Sequence, residues 1–190
     1  MKMETLLQTV RNGSRSRGLK YLSLCGLLVL WVAGAPANAK DMVPYADSLQ
    51  MSVTAQTEND DGTTDQVIEG TGIATQLGKI TLHLEIKIQP TYPDYKLFAW
   101  VAEFSGTAVE TAANGETLAF SIVGREMLFV DKVTYEPIYP YRVEAIREVT
   151  SGTGRFQGAT GTMTFSGTDE DYIISGVSTG EISSVGANKR

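Results

Sequence analysis

Apolar and polar residues alternate strictly along "ITLHLEIKI", from Ile80 to Ile88. Ile80, Leu82, Leu84, Ile86 and Ile88 fall in one phase and Thr81, His83, Glu85 and Lys87 in the other. A period of two is that of a half-buried β-strand. "SLQMSVTAQT" repeats the pattern through Leu49, Met51 and Val53. "LFAWVAEF", Leu97 to Phe104, is apolar in both phases until Glu103, which predicts a strand covered on both sides. "TAVETAANGETLAFSIV" predicts a hairpin, in which Asn114 and Gly115 supply the two positive-φ positions of a type I′ turn. "YRVEAIREV" has a helix-compatible composition, but prolines 137 and 140 precede it and Ser151-Gly152 follows, so it reads as a strand. "GTMTFSG" and "DYIISGVSTGEIS" complete eight or nine strands, at the spacing of a sandwich or barrel. No amphipathic helix of ten or more residues follows residue 40.

Three blocks, "EGTGIATQLGKITL", "FSGTAVETAANGETLAF" and "SGTGRFQGATGTMTF", each carry Gly-Thr near their start and run into an alternating strand. Their unequal lengths and spacing argue against a solenoid. They suit a meander whose hairpins begin at glycines that permit bulges or bends, the devices by which a barrel turns its corners.

The N-terminus changes the compartment. Lys2, Arg11, Arg15, Arg17 and Lys20 form a basic leader with a single acid, Glu4, ahead of the apolar run "YLSLCGLLVLWVAGA". Ala37 and Ala39 place small residues before a cleavage point at Lys40, so residues 1–39 read as a signal peptide and 40–190 as one exported domain, periplasmic or extracellular. The run is shorter than the roughly 20 residues of a membrane span. Leu24 before Cys25 does not fit a lipidation site. Without the leader, eleven bases face twenty-one acids, about −10 in formal charge, which disfavours nucleic acid and anionic lipid. The mature chain has no Cys, so a hydrophobic core must hold it; a chain of this length buries roughly 70% of its unfolded surface.

The loop "SGTGRFQGATG", residues 151–161, has neither the Lys-Ser/Thr of a P-loop nor a helix after its glycines. Gly152, Gly154, Gly158 and Gly161 suit a turn, with Phe156 as the one large apolar group free to plug a core end and Arg155 pointing out or meeting an acid. Gly152, Thr153, Gly154, Phe156, Ala159 and Gly161 resemble the Gly-Gly-Thr-Gly-x-Phe-x-x-Ala-x-Gly segment of dirigent proteins, which share a β-barrel superfamily with allene oxide cyclases; Ser151 replaces the first Gly. With "GTGIATQLGKITL" and "AANGETLAF", the segment also resembles small exported bacterial proteins of undetermined function. The resemblance implies an all-β, single antiparallel barrel of about eight strands, often oligomeric, with a lipophilic cavity that steers a small molecule without a metal. It transfers no catalytic residue to this chain.

The remaining candidate chemistry is sparse. His83 is the only His, with Glu85 two residues on, and a solvated strand histidine is the plain reading. One His and no mature-chain Cys leave no zinc set. "TENDDGTTD" imitates a calcium loop around Asn59, Asp61 and Gly62, but its twelfth position is Ile68, so an Asp-Gly hairpin tip fits better. No metal or cofactor is expected. Tyr92, Tyr95, Tyr135, Tyr139 and Tyr141 crowd two Pro-broken segments, "PTYPDY" and "TYEPIYPY", which should be loops or strand ends that can border a ligand pocket at one barrel mouth. Three functions follow: a barrel binding a lipophilic small molecule, a cyclase or isomerase-type enzyme using the same cavity, or a structural or interaction protein of the cell envelope. Cavity volume and a buried acid inside the barrel distinguish them.

Overall fold

A computed structural model describes residues 41–183. The expected signal peptide and its cleavage point lie outside the described residues. Nine strands follow one another: β1 (Met42–Glu58), β2 (Thr64–Ala74), β3 (Gly78–Ile88), β4 (Tyr92–Asp94), β5 (Ala99–Ala112), β6 (Thr117–Val130), β7 (Pro137–Gly152), β8 (Gly161–Glu170) and β9 (Ile173–Ser183). Every pairing is antiparallel. β1 pairs with both β2 and β9, and β3 pairs with β5, so eight strands close into an up-and-down barrel with β4 appended to β5. Closure leaves no long free edge. Among the described residues no helix is long and apolar enough to cross a membrane.

β3 shows why the chain closes as it does. Ile80, Leu82, Leu84 and Ile86 are buried, while Lys79, Thr81, His83, Glu85 and Lys87 are exposed. The inward phase of the other strands supplies Leu49, Ile68, Phe104, Phe120, Val143, Phe165 and Ile174 to the same core. Burying each such side chain is worth roughly 1.5–3 kcal/mol.

β5 reverses this pattern at its start. Ala102 and Phe104 face inward, but Ala99 and Val101 pack on the outer face with Met127 into a second cluster, beside β4. Trp100 is exposed. The apolar run of Leu97–Phe104 is thus covered on both faces only in part.

The Asn114-Gly115 turn differs from the sequence expectation. Gly115 has φ +83°, and Asn114 is not among the positive-φ residues. The Gly115 N–H donates to the Ala112 carbonyl (2.9 Å) and the Ala112 N–H to the Glu116 carbonyl (2.9 Å). The loop therefore has three residues, and a type I turn followed by one left-handed residue asks for glycine only once.

The two ends of the barrel differ. At one, the chain after β7 makes a short 3-10 helix, Gly154–Phe156, and Phe156 is buried in the main core. Gly152 lies against it: a Cβ there would come within 2.8 Å of the Phe156 Cβ. At the other end lie the β1–β2, β3–β5, β6–β7 and β8–β9 connections. The β1–β2 and β3–β5 connections meet at Gly62 and Pro90, and the β3–β5 connection meets the end of β6 at Phe98 and Val130, whose N–H donates to the Phe98 carbonyl (2.9 Å).

Candidate functional site

Inward-facing charged residues form two separate groups inside the barrel. The first joins β1, β5, β7 and β9. Arg147 donates through Nη1 to Asp47 Oδ2 (2.6 Å) and Ser178 Oγ (2.8 Å), and through Nη2 to Glu110 Oε1. The Tyr45 hydroxyl donates to Glu110 Oε2, and the Ser178 N–H to Asp47 Oδ1 (3.1 Å). The guanidinium carbon sits 4.2 Å from the centre of the Phe120 ring. None of the five polar residues is more than 4% exposed.

Electrostatics keep this group intact. Burial lowers the proton affinity of Arg147, but Glu110 and Asp47 outweigh it and hold the guanidinium charged. Burial pushes the Glu110 carboxyl up, against the pull of Arg147. Burial, and then Glu110, push the Tyr45 hydroxyl far above its ordinary range, so it stays a donor. Both oxygens of each carboxylate are engaged, which is the condition for a buried ionic group to be tolerated.

The second group is an acid pair towards the tyrosine end. Glu126 on β6 stands across from Val143 on β7, which stands across from Gly167 on β8. The Phe165 ring lies over Gly167, and the Glu126 carboxyl interacts with Asp169, two residues farther along β8. The two carboxyls are close enough to act on each other's proton. Burial first, then Asp169, push Glu126 up to about 7. Burial also raises Asp169, although its interaction with Glu126 works the other way. Two carboxyls so close do not both ionise readily, and they titrate as a pair. Asp169 Oδ1 is buried and has no hydrogen-bond partner among the described residues.

Between the two groups runs a narrow cavity of about 60 Å³. Ile68, Leu84, Phe104, Ile122, Ala145 and Phe165 contribute its apolar wall, with Arg147 also lining it. Gln66, Ile88, Glu126 and Asp169 line it towards the tyrosine end and are themselves only half-buried, so the lumen approaches solvent there. It is smaller than the roughly 300–1,000 Å³ of ordinary small-molecule pockets.

Of the tyrosines singled out in the sequence, Tyr141 lies nearest this site. It is the cross-strand partner of Asp169. Burial, then Tyr139, Glu126 and Asp169, raise its hydroxyl. The Tyr139 ring meets Tyr141 edge-on at 5.8 Å. Tyr92, Tyr95, Tyr135 and Tyr139 are exposed at the same end and line no part of the lumen. Tyr92 donates to Glu103 (3.1 Å).

The glycine loop lies at the opposite end. Gly154 and Gly158 are left-handed, at φ +60° and +72°, while Gly152 and Gly161 approach neighbouring backbone closely. Arg155 bridges to Glu116 (3.0 Å) and donates to the Gln76 carbonyl. His83 is on the outer face between Glu69 (2.7 Å) and Glu85 (3.3 Å), and these two raise its pKa. Asp61 caps its own hairpin, accepting from the Thr63 N–H (3.0 Å) and hydroxyl (2.6 Å).

Glu126, Glu110, Arg147 and Asp47 escaped the sequence reading; Asp169, with Glu170 and Asp171, reads in the sequence as an acidic turn, whereas Asp169 and Glu170 end β8. Their signal is phase: each interrupts the apolar register of its own strand. Glu110 shares the phase of Phe104, Ala108 and Ala112, and Glu126 that of Phe120 and Ile122. Set against family models, curated proteins and solved structures, the chain matches none of them.

Proposed function

We propose that this is an exported barrel that binds a slender lipophilic small molecule in its lumen, with the polar end of that molecule at Glu126 and Asp169. The observation that carries the reading is an apolar lumen ending at an acid pair with one buried, unpartnered Asp169 oxygen. A ligand hydroxyl or protonated group would supply the missing donor. A lumen of about 60 Å³ favours a short alkyl segment over a fused ring system. The basic-then-apolar leader supports export to the periplasm or beyond, and the dirigent-like segment supports an allene oxide cyclase/dirigent-like barrel that can assemble with copies of itself.

One observation favours a second reading, a cyclase or isomerase acting in the same cavity. A carboxyl held at about 7 both gives and takes a proton near neutrality. Glu126 would be the acid–base group and Tyr141 a positioning residue.

The test is native mass spectrometry of the protein recovered from its exporting host. The expected spectrum shows an added mass that leaves on denaturation and is missing from Ala145→Phe, which fills the lumen wall. A bare wild-type mass that stays bare after exposure to alkyl alcohols, acids and amines overturns the reading. Glu126→Gln separates the two versions: a binding protein yields the same extracted compound at lower occupancy, whereas an enzyme holds its unreacted isomer, which shares the product's mass and is told from it by chromatography of the extract.

A further inference from the structure

The charges inside the barrel do not balance. Asp47, Glu110, Glu126 and Asp169 face a single cation, Arg147. The seven remaining Lys and Arg of the described residues are all exposed. Asp47 and Glu110 already hold Arg147 between them. The charged residues that line the lumen itself are Glu126 and Asp169 at the tyrosine end and Arg147 in its depth. On β7, Arg147 stands four residues from Val143, the strand partner of Glu126, which is about 13 Å along the strand.

The acid pair has no cation of its own. The strand partners of Glu126 are Ala102 and Val143, and that of Asp169 is Tyr141. Gln66 is the other polar side chain on the lumen wall, and Asp171 adds a further negative charge beside Asp169. Two carboxyls this close keep one proton between them near neutrality, so the pair retains about one negative charge in largely apolar surroundings. A buried charge is costly until an opposite charge reaches it. Asp169 Oδ1, buried and without a hydrogen-bond partner among the described residues, is where that charge is least satisfied.

Three head groups on an alkyl chain can be weighed against this site. A carboxylate is repelled. A hydroxyl donates one hydrogen bond to Asp169 Oδ1 and leaves the charge of the pair uncompensated. An ammonium offers three donors and cancels the charge, and its hydrogen bonds to carboxylate are of the stronger, charge-assisted kind. It would also relieve the penalty of burial and mutual repulsion that Glu126 bears.

We infer that the lumen takes an aliphatic primary amine, with the ammonium at Glu126 and Asp169 and a short alkyl tail directed towards Arg147. The inference rests on the lumen being a ligand site and adds the head group of the ligand. The tail must be uncharged. A second cation at its far end would meet Arg147, and an anion there would meet an Arg147 already held by two carboxylates. A lumen of about 60 Å³ admits only a short segment of chain. The acidic chain also draws small cations towards the protein, so its surface and its lumen favour the same sign of charge.

The experiment is calorimetric titration of the exported protein, near neutral pH, with hexylammonium, hexanol, hexanoate and hexamethylenediamine. Hexylammonium is expected to bind about tenfold or more tightly than hexanol, and hexanoate more weakly than either. Glu126→Gln is expected to lower the affinity for hexylammonium about tenfold or more and to leave that for hexanol within about threefold of the wild type. Asp169→Asn is read in the same way where Glu126→Gln impairs folding. Hexanol or hexanoate binding as tightly as hexylammonium overturns the inference and leaves the lumen a ligand site. Equal binding of hexamethylenediamine, or full hexylammonium affinity in both variants, also overturns it, because the amine is then adsorbed on the acidic surface. If none of the four binds and the protein from its exporting host carries no added mass, the lumen reading fails and this inference fails with it.

Discussion

Glu126→Gln is expected to make the protein more stable at alkaline pH and to leave it unchanged in acid. Glu126 has a pKa of about 7 in the folded barrel against an ordinary 4.5, because burial and Asp169 both penalise its charge. Below pH 4.5 the group is protonated in both states and its folded-state preference is fully present. As pH rises, the unfolded chain loses this proton first, which draws the equilibrium towards unfolding. Above pH 7 both states are ionised and the preference is gone. A carboxyl moved from 4.5 to about 7 corresponds to about 3 kcal/mol across that window. That is a substantial share of the roughly 5–15 kcal/mol that holds a domain folded. Glutamine keeps the shape of the neutral acid and has no proton to lose. Urea unfolding followed by circular dichroism from pH 4.5 to 8 should therefore give coincident stabilities in acid and a gap of about 2–3 kcal/mol in favour of the variant at pH 8. The raised pKa of His83 also removes stability as pH rises past the ordinary histidine value, but it acts equally in both proteins and cancels in the difference. A gap independent of pH, or a wild type that gains on the variant as pH rises, would refute the assignment of Glu126 as the buried, proton-holding acid.

Two further perturbations test the frame that holds the site. Arg147→Met leaves Asp47 and Glu110 buried without their cation and should cost about 3–5 kcal/mol at neutral pH. The loss should shrink in acid, where Glu110 takes up a proton readily, and should be partly recovered by adding Asp47→Asn and Glu110→Gln, all read from urea unfolding. Gly106→Ala puts a Cβ 2.0 Å from the Glu85 carbonyl oxygen at the β3–β5 seam, where backbone meets backbone, so it should cost about 1–3 kcal/mol or more. Gly115→Ala meets open space and only an unfavourable φ, about 1 kcal/mol. Thermal melts in the reverse order would show that the barrel does not close at that seam.

The alternation that announced β3 was legible because one of its faces is wet and the other dry. Ile80 to Ile86 and Lys79 to Lys87 leave no ambiguity about which phase is buried. β5 was harder to read because its outer face is itself covered near Ala99 and Val101, where β4 and Met127 lie against it. Turn type at Asn114-Gly115 depends on whether two or three residues close the loop, and the same dipeptide serves both. The tyrosine segments could be read as loops from their prolines. Only the β7–β8 register, which sets Tyr141 across from Asp169, separates the one ring near the acids from those on the rim. The charged interior was present in the sequence as broken phases. "VETAA" holds Glu110 and "IREV" holds Arg147, each at a position that alternation gives to the core. A pair of such breaks becomes readable as an ion pair only once the sheet has closed and brought strands 37 residues apart in sequence face to face.

The same closure allows the two buried charge groups to be told apart by counting partners. Arg147, Asp47, Glu110, Tyr45 and Ser178 bond to one another, and both oxygens of each of the two carboxylates have a donor. A network of that kind fixes the relative positions of four strands. Glu126 and Asp169 share the same apolar surroundings, yet one Asp169 oxygen is left without a donor, and the pair stands where the wall of the lumen is only half-buried. Replacing the two acids by an apolar pair would be neutral or favourable for stability alone. The barrel keeps an unsatisfied acid at the end where it also keeps strained aromatic loops, with positive φ at Phe98, Tyr135 and Tyr172, and supplies glycine and a plugging Phe156 at the other. Strain and unsatisfied polarity therefore fall together, on the half of the molecule where a ligand would have to arrive.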